Sequence, residues 1–199
     1  MRRFFVVIII CGIVVGAVAY APHFLALADK PDKSDVIVLL LGSRFTPRKK
    51  EVFKLIEDGY ARHLIIPAYG RVSDAGLFQN RTPQGGTRPD PSLIRGRIVK
   101  LSHYPKYYED THVEILEAKK MMDKTGFKTA IFVSSPYHMR RISIIAGKVF
   151  DGRGYRLTFV PSRYEQYRGA AWFLDKRELK FVTGEYSKII WFMLYGYLA

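Results

Sequence analysis

Residues 129–141 read TAIFVSSPYHMRR, and this stretch joins a buried strand to the start of a helix. Its first five residues form a short apolar run, which is typical of a strand covered on both faces of a sheet. The Ser-Ser-Pro that follows favours a helix start, because Ser caps helices and Pro is tolerated in the first turn. A strand that leads directly into a helix indicates the repeating unit of an α/β fold.

The same alternation continues on both sides of this stretch. Further strands are expected at 35–41, 63–67 and 155–160, and helices at about 46–59, 111–124, 136–150 and 174–198. Alternating strands and helices predict a mostly parallel sheet with helices on both faces, a Rossmann-like doubly wound fold. The region 71–107, which is rich in Pro and Gly, is interpreted as a long loop. The last helix has two open interpretations, packing on the domain edge or contact with a bilayer.

An apolar segment precedes this domain. A charge-free run from Phe4 to Ala28 is long enough to cross a bilayer, for which about 20 residues are typical. A cleaved signal peptide is the alternative, because 17–19 and 26–28 have the small-x-small form that signal peptidase recognises. The run exceeds the apolar core of about 7–15 residues in a signal peptide, which favours a retained anchor. We therefore expect a membrane anchor at 1–28, a linker at 29–34 and one α/β domain at 35–199.

Charge predicts the orientation and the partners. Arg2 and Arg3 precede the apolar run, whereas residues 29–35 after it carry three acids and two lysines. By the positive-inside rule, a single-pass protein of the plasma membrane would expose its domain in the periplasm. The formal net charge is +14, and setting aside Arg2 and Arg3 leaves +12, which favours anionic partners such as lipid headgroups, phosphorylated carriers and acidic glycans. Nucleic acid is disfavoured as a partner because no nucleic-acid-binding motif is present.

Two predicted helix starts place cations at the same edge of the sheet. The residues concerned are Gly42, Ser43 and Arg48 after the first strand, and Ser134, Ser135, His138, Arg140 and Arg141 after the strand at 129–133. In a parallel sheet both groups lie at the carboxyl edge, where such folds bind ligands. Arginines and free backbone N–H groups together suit a phosphate or carboxylate ligand. A solvated basic surface is the alternative interpretation.

Acidic residues at 109–114 also have two interpretations. Thr111 and Glu114 fit the S/T-x-x-E capping box, in which each side chain satisfies a backbone N–H of the other residue. Glu109 and Glu114 are also candidates for acid–base catalysis together with His138. The five histidines are scattered, so no metal site is predicted, and no cofactor is identified. Dinucleotide-binding, Walker and serine-hydrolase motifs are absent from the sequence.

Residues 131–141, IFVSSPYHMRR, resemble the strand and Ser-x-x-His-x-x-Arg motif of the YdcF/SanA/ElyC-like proteins of bacterial envelopes, the domain of unknown function 218. Residues 35–42, the helix end at 58–61 and the closing helix at 177–179 support the resemblance. The positions that match those favoured by the family are Gly42, Arg48, Thr111, Glu114, Ser135, His138 and Arg141. One departure is Pro-Ala-Tyr-Gly at 67–70, where the family usually has Ser-Gly-Gly.

The resemblance implies a Rossmann-like envelope protein that serves the metabolism of cell-wall or surface-polysaccharide precursors. Some members of the family look like binders of an adenosyl cofactor. Two functional hypotheses follow. The protein is either a hydrolase or transferase acting on a phosphorylated or diphosphate-linked precursor, or a non-catalytic module that binds anions or a nucleotide cofactor and supports envelope integrity. In the first hypothesis Arg48 and Arg141 clamp phosphate while His138 acts as acid–base.

Overall fold

A computed structural model of the chain describes residues 2–42, 45–75, 79–81, 87–89, 91–99, 104–151, 154–165 and 172–196. Its strands are β1 (Val36–Leu39), β2 (His63–Ile66), β3 (Arg71–Asp74), β4 (Gln79–Arg81), β5 (Thr87–Pro89), β6 (Thr129–Ser134) and β7 (Arg156–Pro161). Its α-helices are α1 (Arg2–Leu25), α2 (Phe45–Glu57), α3 (Asp110–Thr125), α4 (Met139–Val149) and α5 (Lys176–Gly196).

The main sheet has five strands in the order β3-β2-β1-β6-β7. Strands β2, β1, β6 and β7 run parallel to one another, and β3 pairs antiparallel with β2 at one edge of the sheet. From β1 the chain continues to β2, towards the β3 edge of the sheet. From β6 it continues to β7, towards the opposite edge. The connections that leave the carboxyl ends of β1 and β6 therefore diverge, and a crevice for a ligand opens at such a point. The prediction of a mixed α/β fold with a mostly parallel sheet is confirmed.

Among its described residues, the region expected as one long loop contains three short strands. β3 continues the main sheet, and β4 pairs with β5 in a separate antiparallel hairpin. None of the three has the apolar run that indicates a covered strand, and β3 has a single large apolar residue, Val72. An edge strand in contact with solvent can remain polar, so its sequence resembles that of a loop.

Helices cover both faces of the main sheet. Alternate residues of β1 point to opposite faces, so that Val36 and Val38 pack with α3, α4 and α5 while Ile37 and Leu39 pack with α2. All four side chains are fully buried. Burial of such a side chain contributes about 1.5–3 kcal/mol, and this explains why an uninterrupted apolar run forms the central strand.

The apolar N-terminal helix is also present. Its segment Phe4–Leu25 has 22 residues and reaches a mean hydropathy of 2.8 over a window in which no residue is buried. By length and composition this helix can cross a membrane, whose hydrocarbon core is about 30 Å thick. A signal sequence has the same properties, so a retained anchor stays a prediction.

A proline determines how α1 joins the domain. Pro22 has no backbone N–H, so the carbonyl of Val18, four residues earlier, lacks its helical partner. The indole Nε1 of Trp172 donates a hydrogen bond to this carbonyl at 2.9 Å. The domain thus supplies the hydrogen bond that the helix cannot make for itself.

Other contacts hold the end of α1. The Tyr186 hydroxyl donates to the carbonyl of Ala21 at 3.0 Å, and Arg140 Nε donates to the carbonyl of Phe24 at 2.8 Å. Leu25 is fully buried in the apolar cluster between α1 and α5. These contacts fix the last turns of α1 against the domain.

The segment 29–34, expected as a linker, is hydrogen-bonded to the domain. The backbone N–H of Asp29 donates to the carbonyl of Phe159, and the Phe159 N–H donates to the Asp29 carboxylate, each at 2.9 Å. Asp32 pairs with Arg156 at 3.2 Å. The connection between α1 and β1 therefore follows a defined path along β7.

Candidate functional site

A pocket of about 580 Å³ opens at the carboxyl edge of the sheet, beside the first turns of α3. Its walls are apolar and aromatic, with Leu41, Ala68, Ile98, Val99, Tyr104 and Tyr108 among the lining residues. The ionisable side chains that line it include Lys106, Asp110 and Glu114. Apolar walls with a few polar groups are typical of small-molecule sites, and this edge is where open α/β sheets bind ligands.

Glu114 is the polar residue that ties this pocket to the sheet. Asp110 and Glu114 are four residues apart on α3, so they lie on the same helix face. A hydrogen bond from the backbone of Leu41, directly after β1, reaches the Glu114 carboxyl. Burial raises the pKa of Glu114 to about 8 although the Arg48 charge opposes this shift. Burial therefore favours the protonated form of this carboxyl near neutral pH.

The predicted capping box at Thr111 is wrong. α3 begins one residue earlier, at Asp110, and its N-cap is Glu109. Thr111 consequently lies inside the first turn, and the Glu114 carboxyl interacts with Leu41. The S/T-x-x-E pattern is a local rule, and here a contact from the neighbouring strand end competes with it.

Arg48 lies beneath the pocket and is 1% exposed. Its guanidinium donates to the carbonyls of Leu40 and Leu41 at 2.9 and 2.8 Å and to Ser135 Oγ at 3.0 and 2.8 Å. The Ser135 hydroxyl in turn donates to Glu165 Oε1 at 2.6 Å. Arg48 thus joins the carboxyl ends of β1 and β6 to the segment that follows β7.

The position of the guanidinium explains why residue 42 is a glycine. A Cβ atom added to Gly42 would lie 2.7 Å from Nη1 of Arg48, closer than real Cβ contacts allow. Ser134, the residue before Ser135, is buried. Its carbonyl accepts a hydrogen bond from the N–H of Ser162, which extends the pairing of β6 and β7 by one bond.

A second buried network surrounds Arg141, which is 3% exposed. Its guanidinium donates to both oxygens of Glu185, at 2.6 and 3.1 Å, and to Glu109 Oε1 at 2.8 Å. Burial raises the pKa of Glu185, but the hydrogen bonds from His138 and Arg141 outweigh burial and lower it to about 2. Glu185 is therefore ionised across the physiological range.

His138 completes this network. Its Nδ1 lies 2.8 Å from Glu185 Oε1 and 3.4 Å from Nη2 of Arg141. A carboxylate only accepts hydrogen bonds, so the shorter contact assigns the Nδ1 proton to the bond with Glu185 and leaves the lone pair on Nε2. Burial lowers the pKa of His138, against the opposing charge of Glu185. The ring is thus held by a carboxylate, an arrangement that orients a general base.

Glu109 differs from Glu185, the other acid of this network. Burial raises its pKa even though Arg141 opposes the shift. Within the described part of the chain, its Oε2 atom is buried and has no hydrogen-bond partner. A buried carboxylate oxygen without a partner is costly and favours the protonated form.

The structure brings together most of the predicted site residues. Gly42, Arg48, Glu114, Ser134 and Ser135 lie at the carboxyl edge, and Glu109, His138 and Arg141 form the adjacent network. Both predicted phosphate-clamping arginines are buried and bound to groups of the protein, so a clamp for an external anion stays a prediction. Ser43 lies outside the described residues.

Arg140 is not part of either network. Its guanidinium donates to the Phe24 carbonyl and lies over the Phe24 ring at 4.6 Å from the centroid. The structure thus places the Arg140 side chain against the end of α1, and a role for it at the ligand-binding edge stays a prediction. Successive residues of a helix point about 100° apart, so neighbouring arginines need not share a target.

Two acids of the site were not predicted from the sequence. Glu165 pairs with Ser135, and Glu185 pairs with Arg141. A signal for Glu185 exists in the sequence, because Val182, Glu185 and Ile189 share the helical spacing of one buried face. An acid at such an inward position indicates a buried cation opposite it.

Comparisons with protein-family models, with curated proteins and with solved structures find no match for this chain. A search for metal sites over the described residues finds no group of three His, Cys, Asp or Glu side chains that could hold an ion.

Proposed function

We propose that this protein is a single-pass membrane protein of the bacterial envelope with a Rossmann-like domain that binds and acts on a phosphorylated or diphosphate-linked precursor of the cell wall or a surface polysaccharide. The observation that carries the proposal is the apolar pocket at the carboxyl edge of the sheet, which Glu114 lines and where burial raises the pKa of that carboxyl to about 8. The resemblance to YdcF/SanA/ElyC-like proteins is consistent with this substrate class.

The strand order supports a Rossmann-like domain. Along the parallel strands the connections reverse direction between β1 and β6, as they do at the ligand-binding point of doubly wound sheets. The apolar segment Phe4–Leu25 and the two arginines that precede it in α1 support an anchor with the domain outside the cytoplasm, in the periplasm.

The pocket suits an amphiphilic anion. Its walls offer apolar and aromatic contacts for a lipid or sugar face, and Lys106 provides a cation. The exposed Arg97 directly precedes the lining residue Ile98 and adds positive charge at the margin. Asp110 is the opposing charge. A protonated Glu114 donates a hydrogen bond to a phosphate oxygen, whereas an ionised one would repel it.

The same carboxyl is suited to catalysis. A carboxyl with a pKa of about 8 carries a proton at neutral pH and transfers it to a leaving oxygen in a hydrolase or transferase reaction. His138, held by Glu185 through Nδ1, has the lone pair on Nε2 that a general base requires.

A specific observation favours the alternative, a non-catalytic binding module. The cations Arg48 and Arg141 are engaged by groups of the protein and do not point at a vacant anion site. Such saturated networks stabilise a fold whether or not a reaction occurs. In this alternative the pocket recruits an acidic precursor without converting it.

The test is the pH dependence of binding and turnover. In detergent micelles, inorganic diphosphate should bind about tenfold more weakly as the pH rises through about 8, because Glu114 ionises. Glu114→Gln should remove the part of the pH dependence that is due to Glu114. The part due to titration of diphosphate itself should be the same in both proteins. Glu57→Gln, an exposed acid on α2, is the control.

Turnover separates the two functions. Radiolabelled polyprenyl-diphosphate-linked sugars should be converted by the wild-type protein and not by Glu114→Gln. If the wild-type protein binds these sugars without converting them, the non-catalytic binding module is the function that remains. A pH profile that Glu114→Gln shares with the wild type would contradict the role of Glu114 in both functions.

A further inference from the structure

The start of α5 carries an exposed apolar surface, formed by Phe173, Leu174 and Leu179, which we term the apolar tip. Leu174 is 77% exposed, and the other two side chains are also exposed. The neighbouring Trp172 is buried and belongs to the apolar cluster that holds the end of α1. The tip therefore lies directly beside the apolar helix.

Trp172, the residue directly before the tip, contacts α1 well inside the apolar span. Trp172 Nε1 donates to the carbonyl of Val18, which lies seven residues before the end of α1 at Leu25. At a rise of about 1.5 Å per residue, this contact is about 10 Å from the helix end along its axis. A bilayer that contains the span Phe4–Leu25 would therefore extend to the level of the tip.

Cations surround the tip. Lys176, Arg177 and Lys180 follow it in the first turns of α5, and all three are exposed. The acids nearby are engaged or covered, because the Asp175 carboxylate accepts the backbone N–H of Arg177 and Glu178 is buried. An apolar surface bordered by lysine and arginine is the pattern by which proteins enter the interface of anionic membranes.

We propose that the apolar tip inserts into the outer face of the bilayer beside α1, and that Lys176, Arg177 and Lys180 bind the phosphates of anionic lipids. The proposal rests on the membrane-spanning α1 of the proposed function. Continuity with that helix commits the tip to lipid, because a protein partner would have to displace the lipid around Val18. The protein would thus contact one membrane through two elements.

Site-directed spin labelling tests the insertion in the full chain. Leu174→Cys in a Cys11→Ser background carries a nitroxide at the tip, and Leu194→Cys is the matched control, a leucine 58% exposed near the other end of α5. A third sample carries the label on the native Cys11 within α1. Each is reconstituted in phosphatidylcholine vesicles with and without phosphatidylglycerol, and accessibility to oxygen and to a water-soluble nickel complex gives the depth.

The label at 174 should lie about 5–10 Å below the lipid phosphates, and the label at 194 should be in water. Replacing Lys176, Arg177 and Lys180 by Gln should make the label at 174 shallower in phosphatidylglycerol vesicles and leave it unchanged in phosphatidylcholine alone. An effect that is equal in both lipids would overturn the role of the three cations.

The label on Cys11 distinguishes the two proposals. If Cys11 reports the bilayer core while residue 174 is as accessible to the nickel complex as residue 194, the insertion is refuted and the anchor stands. If Cys11 is itself in water, the anchor fails, and the insertion fails with it.

Discussion

Replacing Glu185 by Gln removes the charge at the centre of the Arg141 network. The carboxylate has a pKa of about 2 in the folded protein, against an ordinary value of 4.5, because hydrogen bonds from His138 and Arg141 outweigh burial. The difference between these two pKa values corresponds to about 3 kcal/mol of stability at neutral pH. Since the Glu185 side chain is almost fully buried, solvent screens this interaction little. Loss of one partner of a buried ion pair costs about 3–5 kcal/mol, which agrees with this figure.

The stabilisation by Glu185 depends on pH in a defined direction. Because the folded pKa is lower than the unfolded pKa, the contribution is complete above about pH 4.5 and is lost as the pH falls towards 2. Gln does not titrate. The difference in unfolding free energy between the wild type and Glu185→Gln should therefore shrink across this range and be constant above it.

Urea unfolding of the full chain in detergent micelles, followed by the fluorescence of Trp172 and Trp191, measures this difference. Glu57→Gln, at an exposed acid of α2, is the control and should change stability by less than about 0.5 kcal/mol. The reasoning is refuted if Glu185→Gln lies within about 1 kcal/mol of the wild type at pH 7. It is refuted equally by a difference that stays constant down to about pH 3.

Two further substitutions test the packing. Gly42→Ala should destabilise the protein by about 1–3 kcal/mol in urea, because its Cβ would meet the Arg48 guanidinium. Gly147→Ala on α4, which has open space at its Cβ position, should instead stabilise by about 0.5–1 kcal/mol. Trp172→Phe should cost about 1–2 kcal/mol by thermal unfolding, because the carbonyl that Pro22 leaves without a helical partner loses its donor. In a Pro22→Ala background the backbone N–H of residue 22 donates to the Val18 carbonyl, so Trp172→Phe should then cost less stability. An equal loss of stability with Pro22 and with Ala at this position would contradict the explanation.

The sequence predicts the central strands and the edge strand β7, but not the edge strand β3. β1, β2 and β6 are apolar and fully or mostly buried, so the requirement for burial is visible in the residues themselves. β3 satisfies its hydrogen bonds at the sheet edge without an apolar run, and the sequence gives no sign of it. The helices α2 and α3 start one residue before the expected positions, whereas α4 and α5 start three and two residues after them, because helix ends are the least determined part of the pattern.

The candidate site was predictable as a location but not as a set of interactions. Strand order alone brings Arg48 to Ser135, which are 87 residues apart in the chain. The partners of these cations could not be identified, since Glu185 lies 44 residues from Arg141 and reaches it only through the packing of α5. Such long-range contacts decide whether an arginine is exposed and free or buried and paired. The composition of the chain does not reveal which of the two applies.

The hydrogen bonds of residues 29–34 to β7 have a consequence for an anchored protein. A flexible tether would let the domain tumble and sample a hemisphere of solution, whereas this one holds it at a single height and tilt above the lipid. Such an anchored domain would lose part of its rotational freedom before any ligand arrives, and lateral diffusion with rotation about the membrane normal would remain. If α1 is retained as an anchor, the distance of a molecule's reactive group from the membrane would decide whether it can reach the pocket at all.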